Sequence, residues 1–488
     1  MYKVLYLGMP GSGKTTTLLN LLEKELEHTP PEKIAYVSFT KKAISEAQNR
    51  AVERFHLSKK QMPFFKTLHA LAFAALGMSR SDVVSDAHLR QLSQDIGVDL
   101  TDKDKPFQPL ALYNLARVKG KPLIQVWQET YSTHTQTWDE INHIVARYVT
   151  FKRQNNLYDF TDMLILFNKQ KNALPVSTVF VDEAQDLSTI QWQMLDIAFA
   201  DAQQMILAGD DDQCIYEWSG ADKERFLKFE GEKIILDKSY RCPQVVADFA
   251  NQISRKIKPR FKKTLYGHAD GQVVQINTLE AVLPILTGEQ ETLILVRNRA
   301  HVFNMQKVLM YHSVPFTVSG KNIAPFKHVQ AIQYFSVLKH CEKVSGIVAE
   351  NIAECSGLKD LYFDHDAEYS YVDIYKRPCA TAEDGDFRLV FKGISNYRLA
   401  FYYSALKWGA RFKVPGIHVS TIHGAKGSEY DNVVLCCDQS VLTFKAAQRE
   451  PGNEHRVFYV GATRAKKNLF LLTPTKKRHY KMPLIAGV

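Results

Sequence analysis

Near the start of the chain an apolar run, Lys3 to Leu7, leads into Gly8-Met9-Pro10-Gly11-Ser12-Gly13-Lys14-Thr15, and a helical pattern follows through Glu27. Strand, glycine-rich loop and helix in that order are the required context of a phosphate-binding loop, and they commit this part of the chain to an α/β fold. The glycines let successive backbone N–H groups face a phosphate, Lys14 offers charge to the β and γ groups, and the Thr15 hydroxyl can hold Mg2+. Gly8, Gly11, Ser12, Gly13, Lys14, Thr15 and Thr16 are therefore the candidate nucleotide-binding residues.

A second apolar strand, Thr178 to Val181, ends in Asp182-Glu183-Ala184-Gln185-Asp186. A carboxylate at a strand end facing such a loop is what a Mg2+ site requires. Asp182 is expected on the metal side with Thr15, and Glu183 is the candidate base for an attacking water. Taken alone, an acidic pair after a strand also describes a solvated turn; the loop at Gly8 gives it chemical meaning.

Further along stands Gly209-Asp-Asp-Asp-Gln-Cys-Ile-Tyr-Glu-Trp218. The Gln213 amide can hydrogen-bond a terminal phosphate or an attacking water. Tyr216 and Trp218 offer flat faces to unpaired bases, each stack being worth roughly 1 to 3 kcal/mol. By itself the stretch is also compatible with an acidic turn whose aromatics pack in a core. Hydrolysis needs positive charge opposite the γ-phosphate as well, and two arginines are candidates: Arg241 in Ser239-Tyr240-Arg241-Cys242 and Arg464 in Ala462-Thr463-Arg464-Ala465.

With 488 residues the chain implies two to four domains. A hydrophobic fraction of 45% and a charged fraction of 23% are ordinary for a globular protein. The net charge of +10 fits a polyanionic partner without requiring one. Val4 to Leu7 is too short for a signal-peptide core, and no apolar run reaches the roughly eighteen residues of a membrane span. Seven cysteines are scattered without a Cys-x-x-Cys pair, which excludes the usual zinc-ribbon spacings and fits a reducing cytoplasm.

Beside these stretches lie Phe39-Thr40-Lys41-Lys42-Ala43, Thr67-Leu68-His69, Tyr158 to Leu164, Thr421 to Glu429 and Glu454 to Lys467. In order, the set resembles the motifs of the UvrD/Rep family of superfamily 1A helicases, from Gly8 to Lys467. The resemblance implies Lys14, Thr15, Asp182, Glu183, Gln213, Arg241, Glu429 and Arg464 around the nucleotide, with Arg241 and Arg464 reaching it from a second RecA-like core. It implies Tyr240 as the aromatic on the nucleotide base. It gives Phe39, Thr67, His69, Phe160, Tyr216, Trp218, Thr421, His423 and Lys426 as single-strand contacts, although Phe39 and Phe160 also read as core aromatics.

Three positions depart from that pattern. The strand before the loop is preceded by no adenine-reading glutamine, Thr16 stands where an arginine often sandwiches the base, and Ser219 stands where an arginine commonly follows the tryptophan. Relaxed nucleotide choice is expected from the first two, and a grip on DNA that leans on stacking from the third.

The fold class expected is α/β with two RecA-like P-loop cores. Residues 1–76 and 159–230 are expected to form core 1A, and 77–158 a helical 1B insertion. Residues 231–322 and 413–488 would form core 2A, with its first strand at Lys233 to Leu236, and 323–412 a reduced 2B insertion. The function expected is an ATP-dependent single-stranded DNA translocase and 3′ to 5′ helicase. The alternatives are the motor or sensor subunit of a larger assembly, and a P-loop switch that does not translocate. ATP or another NTP and Mg2+ are the expected cofactors. Single-stranded DNA and duplex junctions, with a possible protein partner and no membrane, are the expected surroundings. Since the sequence stops shortly after Arg464, an appended nuclease domain is not expected.

Overall fold

The computed structural model describes residues 1–38, 41–101, 109–130, 136–268, 270–282, 284, 290–312, 314, 316–322, 326–340, 342–358, 361–379, 386–407 and 416–484. The fold is α/β, and the chain divides into two compact units: residues 1–270 with 445–463, and residues 271–444 with 464–488.

The first unit is built on β1 (Tyr2–Gly8), β2 (Ile34–Ser38), β3 (Phe65–Lys66), β4 (Thr178–Asp182), β5 (Gln204–Gly209) and β6 (Glu232–Leu236). They form one sheet in the order β3-β2-β4-β5-β1-β6, every pair parallel. Side chains alternate across a strand, so the near-continuous apolar runs feed two cores at once. Leu5, Leu7, Ala35, Val37, Val179, Val181 and Leu207 pack with the helices Leu68–Ala75, Phe160–Gln170 and Thr189–Ala198. Val4, Ile34, Tyr36, Phe180, Ile206 and Ala208 face the other way, against Leu18, Leu19 and Leu22 of the helix Lys14–Leu26 and against Ile44, Ala47 and Ala51 of the helix Lys41–Phe55. A sheet with helices on both faces leaves its strand ends as the place for a site.

The strand expected to open the second core lies in the first sheet instead. β6 pairs in register with β1, from Val4 opposite Glu232 to Gly8 opposite Leu236. Gly231 permits this: its φ is 153°, and a Cβ there would come within 2.5 Å of the Lys3 carbonyl oxygen.

Within residues 77–158 lie the helices Asp86–Ile96, Pro109–Lys119, Leu123–Thr130 and Trp138–Gln154. They close two small cores of their own, around Leu92, Tyr148 and Phe151 and around Leu112, Val126 and Ile141. Arg117 and Lys152 from these helices pair with Asp159 and Asp162, which cap the start of the helix Phe160–Gln170.

The second unit carries β7 (Gln272–Ile276), β8 (Thr292–Val296), β9 (Thr317–Val318), β10 (Lys321–Asn322), β13 (Ile417–Thr421), β14 (Tyr430–Cys436) and β15 (Ala465–Leu472), with the short pair β11 (Val344–Ser345) and β12 (Glu368–Tyr369) between β10 and β13. The sheet order is β10-β9-β13-β8-β14-β15-β7, parallel except at β9 and β10. Phe335, Ile352, Phe391 and Leu399, from the segment expected to be a reduced insertion, share one apolar cluster with Ile294, Val296, Val419 and Val434 of that sheet. The two sheets are those of two RecA-like cores. Among the described residues no helix is long and apolar enough to cross a membrane.

Candidate nucleotide and nucleic-acid site

The loop after β1 ends in Gly13, whose φ of 78° places it as the N-cap of the helix Lys14–Leu26 without a side-chain cap. First-turn N–H groups left uncapped in this way suit an anion. The Lys14 ammonium is buried and donates to the Gly8 carbonyl at 2.8 Å. Residue 8 must be glycine for this, since a Cβ there would lie 2.0 Å from Lys14 Cγ. Ser12 Oγ is buried with no hydrogen-bond partner among the described residues, a donor waiting for an acceptor. Thr16 is exposed at the helix start.

At the end of β4 the Thr15 hydroxyl donates to Asp182 Oδ2 at 2.9 Å, and the Glu183 N–H donates to Asp182 Oδ1 at 2.9 Å. Burial and the neighbouring Glu183 push the Asp182 carboxyl up to about 6, against the Thr15 hydrogen bond and the Lys14 charge. A hydroxyl beside a carboxylate too buried to ionise easily is a set of hard oxygen donors short of positive charge, which fits Mg2+. Glu183 itself has φ 54°, a left-handed conformation that costs a non-glycine residue on the order of 1 to 3 kcal/mol.

Two residues that motif reading passed over tie this corner to the next strand. Gln185, fully buried, donates through Nε2 to the Glu183 carboxylate and accepts the Asp210 N–H on Oε1 at 3.0 Å. Asp210 Oδ2 in turn accepts Gln213 Nε2 at 2.7 Å. Glu183, Gln185, Asp210 and Gln213 thus form one hydrogen-bonded chain across the ends of β4 and β5. Gly209 leaves room for it: a Cβ would come within 2.6 Å of Gln185 Oε1. The available signal is the run of polar residues that follows each of two largely apolar strands.

Asp210, Asp211 and Asp212 are fully buried and close enough together to suggest a metal, but the Lys263 ammonium occupies their centre. Burial works against its charge; the three carboxylates overcome that and raise its pKa.

The segment after β6 folds onto the phosphate loop. The Tyr240 N–H donates to the Gly11 carbonyl at 2.8 Å, and the Ser239 hydroxyl to the Pro10 carbonyl at 2.9 Å. Arg241 therefore belongs to the same unit as Lys14, where the resemblance brought it from the second core; the cause is the docking of β6 onto β1. Tyr240 is 65% exposed, with the Lys238 ammonium 5.5 Å from its ring centre and His268 beside it.

Of the single-strand candidates, Thr67 caps the helix Leu68–Ala75, accepting the Ala70 N–H at 3.3 Å. His69 meets Phe160 edge to face at 5.8 Å, and Phe160 is 62% exposed at its helix start, so it is not a core aromatic. Burial lowers the His69 pKa. Tyr216 and Trp218 form a second pair, centroids 6.4 Å apart, with Trp218 66% exposed. Phe39 lies outside the described residues. In the second unit Thr421 ends β13, its hydroxyl accepting the Gly424 N–H at 3.1 Å; His423 and Lys426 lie in the turn that follows, and Glu429 directly precedes β14. Arg464 is buried there, donating to the Ser428 carbonyl at 3.3 Å.

A phosphate loop at the carboxyl end of a parallel sheet, with acids closing the next two strands, defines a P-loop nucleotide-binding core. The chain belongs to the UvrD/Rep helicase family: the UvrD/REP helicase N-terminal domain matches residues 2–233 and the UvrD-like helicase C-terminal domain residues 404–476. It is 27% identical to DNA helicase II of Escherichia coli over 369 residues, 65% of this chain and 49% of that protein. It is 23% identical to the ATP-dependent DNA helicase PcrA of Staphylococcus aureus over 365 residues, again 65% and 49%. The chain spans about half the length of these curated relatives.

Proposed function

We propose that this protein is an ATP-dependent translocase on single-stranded DNA that unwinds duplex with 3′ to 5′ polarity. The observation that carries the reading is the chain Glu183–Gln185–Asp210–Gln213, which ends three residues before the Tyr216 and Trp218 platform. A shift of Gln213 when a phosphate leaves is transmitted along a short, buried backbone to aromatics on which bases stack.

In this reading Gly8, Gly11, Ser12, Gly13, Lys14 and Thr15 hold the triphosphate and Tyr240 carries its base. Thr15 and Asp182 hold Mg2+, which neutralises charge on the phosphate oxygens. Glu183 takes the proton of the attacking water, Gln213 orients it, and Arg241 and Arg464 supply charge at the γ group. Glu429 belongs to the same nucleotide set. Thr67, His69, Phe160, Thr421, His423 and Lys426 complete the track for the strand, with duplex junctions ahead of it. Cysteines scattered without a Cys-x-x-Cys pair support a cytoplasmic setting.

The test is hydrolysis with and without a single-stranded oligonucleotide, followed by strand displacement on duplexes tailed at either end, each with all four NTPs. Stimulated hydrolysis and displacement of the 3′-tailed duplex alone are expected. Stimulation without displacement would instead favour a motor subunit of a larger assembly.

A further inference from the structure

We propose that Lys263 is a positioning residue for the hydrolytic step, acting through the Asp210–Gln213 turn to set the Gln213 amide. The proposal rests on the helicase reading above and adds a residue to it.

The geometry is that of an internal counter-ion. Lys263 Nζ lies 3.1 Å from Asp210 Oδ1, 2.5 Å from Asp211 Oδ1 and 2.8 Å from Asp212 Oδ2, with all four side chains fully buried. An ammonium has three N–H donors, and three carboxylates meet them. Arg260 grips Asp212 with two bonds, Nε to Oδ1 at 2.9 Å and Nη2 to Oδ2 at 2.5 Å. The Phe261 N–H donates to Asp211 Oδ2 at 2.9 Å. Arg456, from the helix Pro451–Ala462, donates to the Asp211 carbonyl and to the Pro259 carbonyl, each at 2.8 Å. Three acids thus face two cations, Lys263 and Arg260, while Arg456 binds the backbone of the turn, so that two segments distant in sequence hold it.

The consequence falls on Asp210. One of its oxygens receives Gln213 and the other faces Lys263, while its N–H is fixed by Gln185. Loosening Lys263 therefore frees the residue that aims Gln213. A contact that merely held the fold would need no such charge, because apolar residues of similar volume hold buried sites as well or better. Displacement of a catalytic group by about 1 Å can cost on the order of a hundredfold in rate.

The experiment compares the full chain, Lys263→Met, and the charge-balanced Lys263→Met/Asp211→Asn. Thermal midpoint, single-strand affinity, KM for ATP, and kcat with and without oligonucleotide are measured for each. The double variant is expected to melt and bind DNA close to wild type and to keep its KM, while the factor by which DNA raises kcat falls on the order of tenfold. Gln213→Ala should show the same split between KM and kcat. A folded double variant with undiminished stimulation overturns the proposal. So does a double variant that melts as early as Lys263→Met, which would assign the lysine to the fold alone. Absence of stimulation in the wild type would instead sink the helicase reading itself.

Discussion

The Ser239 hydroxyl donates to the Pro10 carbonyl at 2.9 Å, so the segment bearing Tyr240 and Arg241 is fastened to the phosphate loop. That approach is possible only because residue 11 has no side chain: a Cβ would lie 2.4 Å from Arg241 Cβ and 2.7 Å from Ser239 Oγ, at a φ of 73°. Gly11→Ala should therefore push Tyr240 and Arg241 away and strain the loop by about 1 to 3 kcal/mol. Loss of fluorescent-nucleotide binding with single-strand binding retained is the expected result, and unaltered nucleotide affinity would contradict it.

Asp182 gives a pH signature. Its carboxyl is pushed up to about 6 from an ordinary 3.8, first by burial and then by Glu183. The folded protein therefore holds a proton that the unfolded chain has released between those values, so this group's contribution to stability declines as pH rises toward about 6 and is level above it. Binding of Mg2+ with nucleotide favours the ionised form, so apparent affinity should rise through the same window with release of a proton. Calorimetry in two buffers of different ionisation enthalpy measures that release, and Asp182→Asn should abolish it.

Lys14 and Trp218 separate chemistry from grip. Lys14→Ala should abolish hydrolysis and leave single-strand binding largely intact. Trp218→Ala removes an exposed stacking face worth roughly 1 to 3 kcal/mol, about 5- to 150-fold in affinity, and should uncouple hydrolysis from movement. Normal translocation by Trp218→Ala would refute the stacking argument.

Ser219 is exposed and its hydroxyl turns back to the Tyr216 carbonyl at 2.9 Å, leaving no cation beside the platform from this position. Ser219→Arg should add one phosphate contact and steepen the salt dependence of single-strand binding by about 0.7 in log–log slope. An unchanged slope would show that stacking does not compensate for a missing charge here.

What the sequence disclosed follows the range of the interactions. The phosphate loop, Asp182 and Gln213 are written in consecutive residues whose chemistry needs no partner to be recognised, and the two-sided cores of β2, β4 and β5 follow from unbroken apolar runs. β6 carries no residue buried enough to name its sheet: it is an open edge strand, with no preference among edges until Gly231 brings it against Lys3. Arg241 moved with it. Lys263, Arg260 and Arg456 were invisible for another reason: each meets the acidic turn from 48 or more residues away, and an isolated basic residue looks like surface.

The helix Pro451–Ala462 lies in sequence between two strands of the second sheet, yet it belongs to the first unit and carries Arg456 to the acidic turn. The polypeptide therefore passes from one unit to the other three times, near residues 270, 444 and 463. Neither unit exists as a contiguous fragment. A truncation at residue 270 would deprive the nucleotide-binding half of a helix whose Arg456 ties down the backbone of its acidic turn, and a single proteolytic cut would leave the two halves joined. Cloning the nucleotide-binding half as an independent protein would require grafting residues 445–463 back through a designed linker.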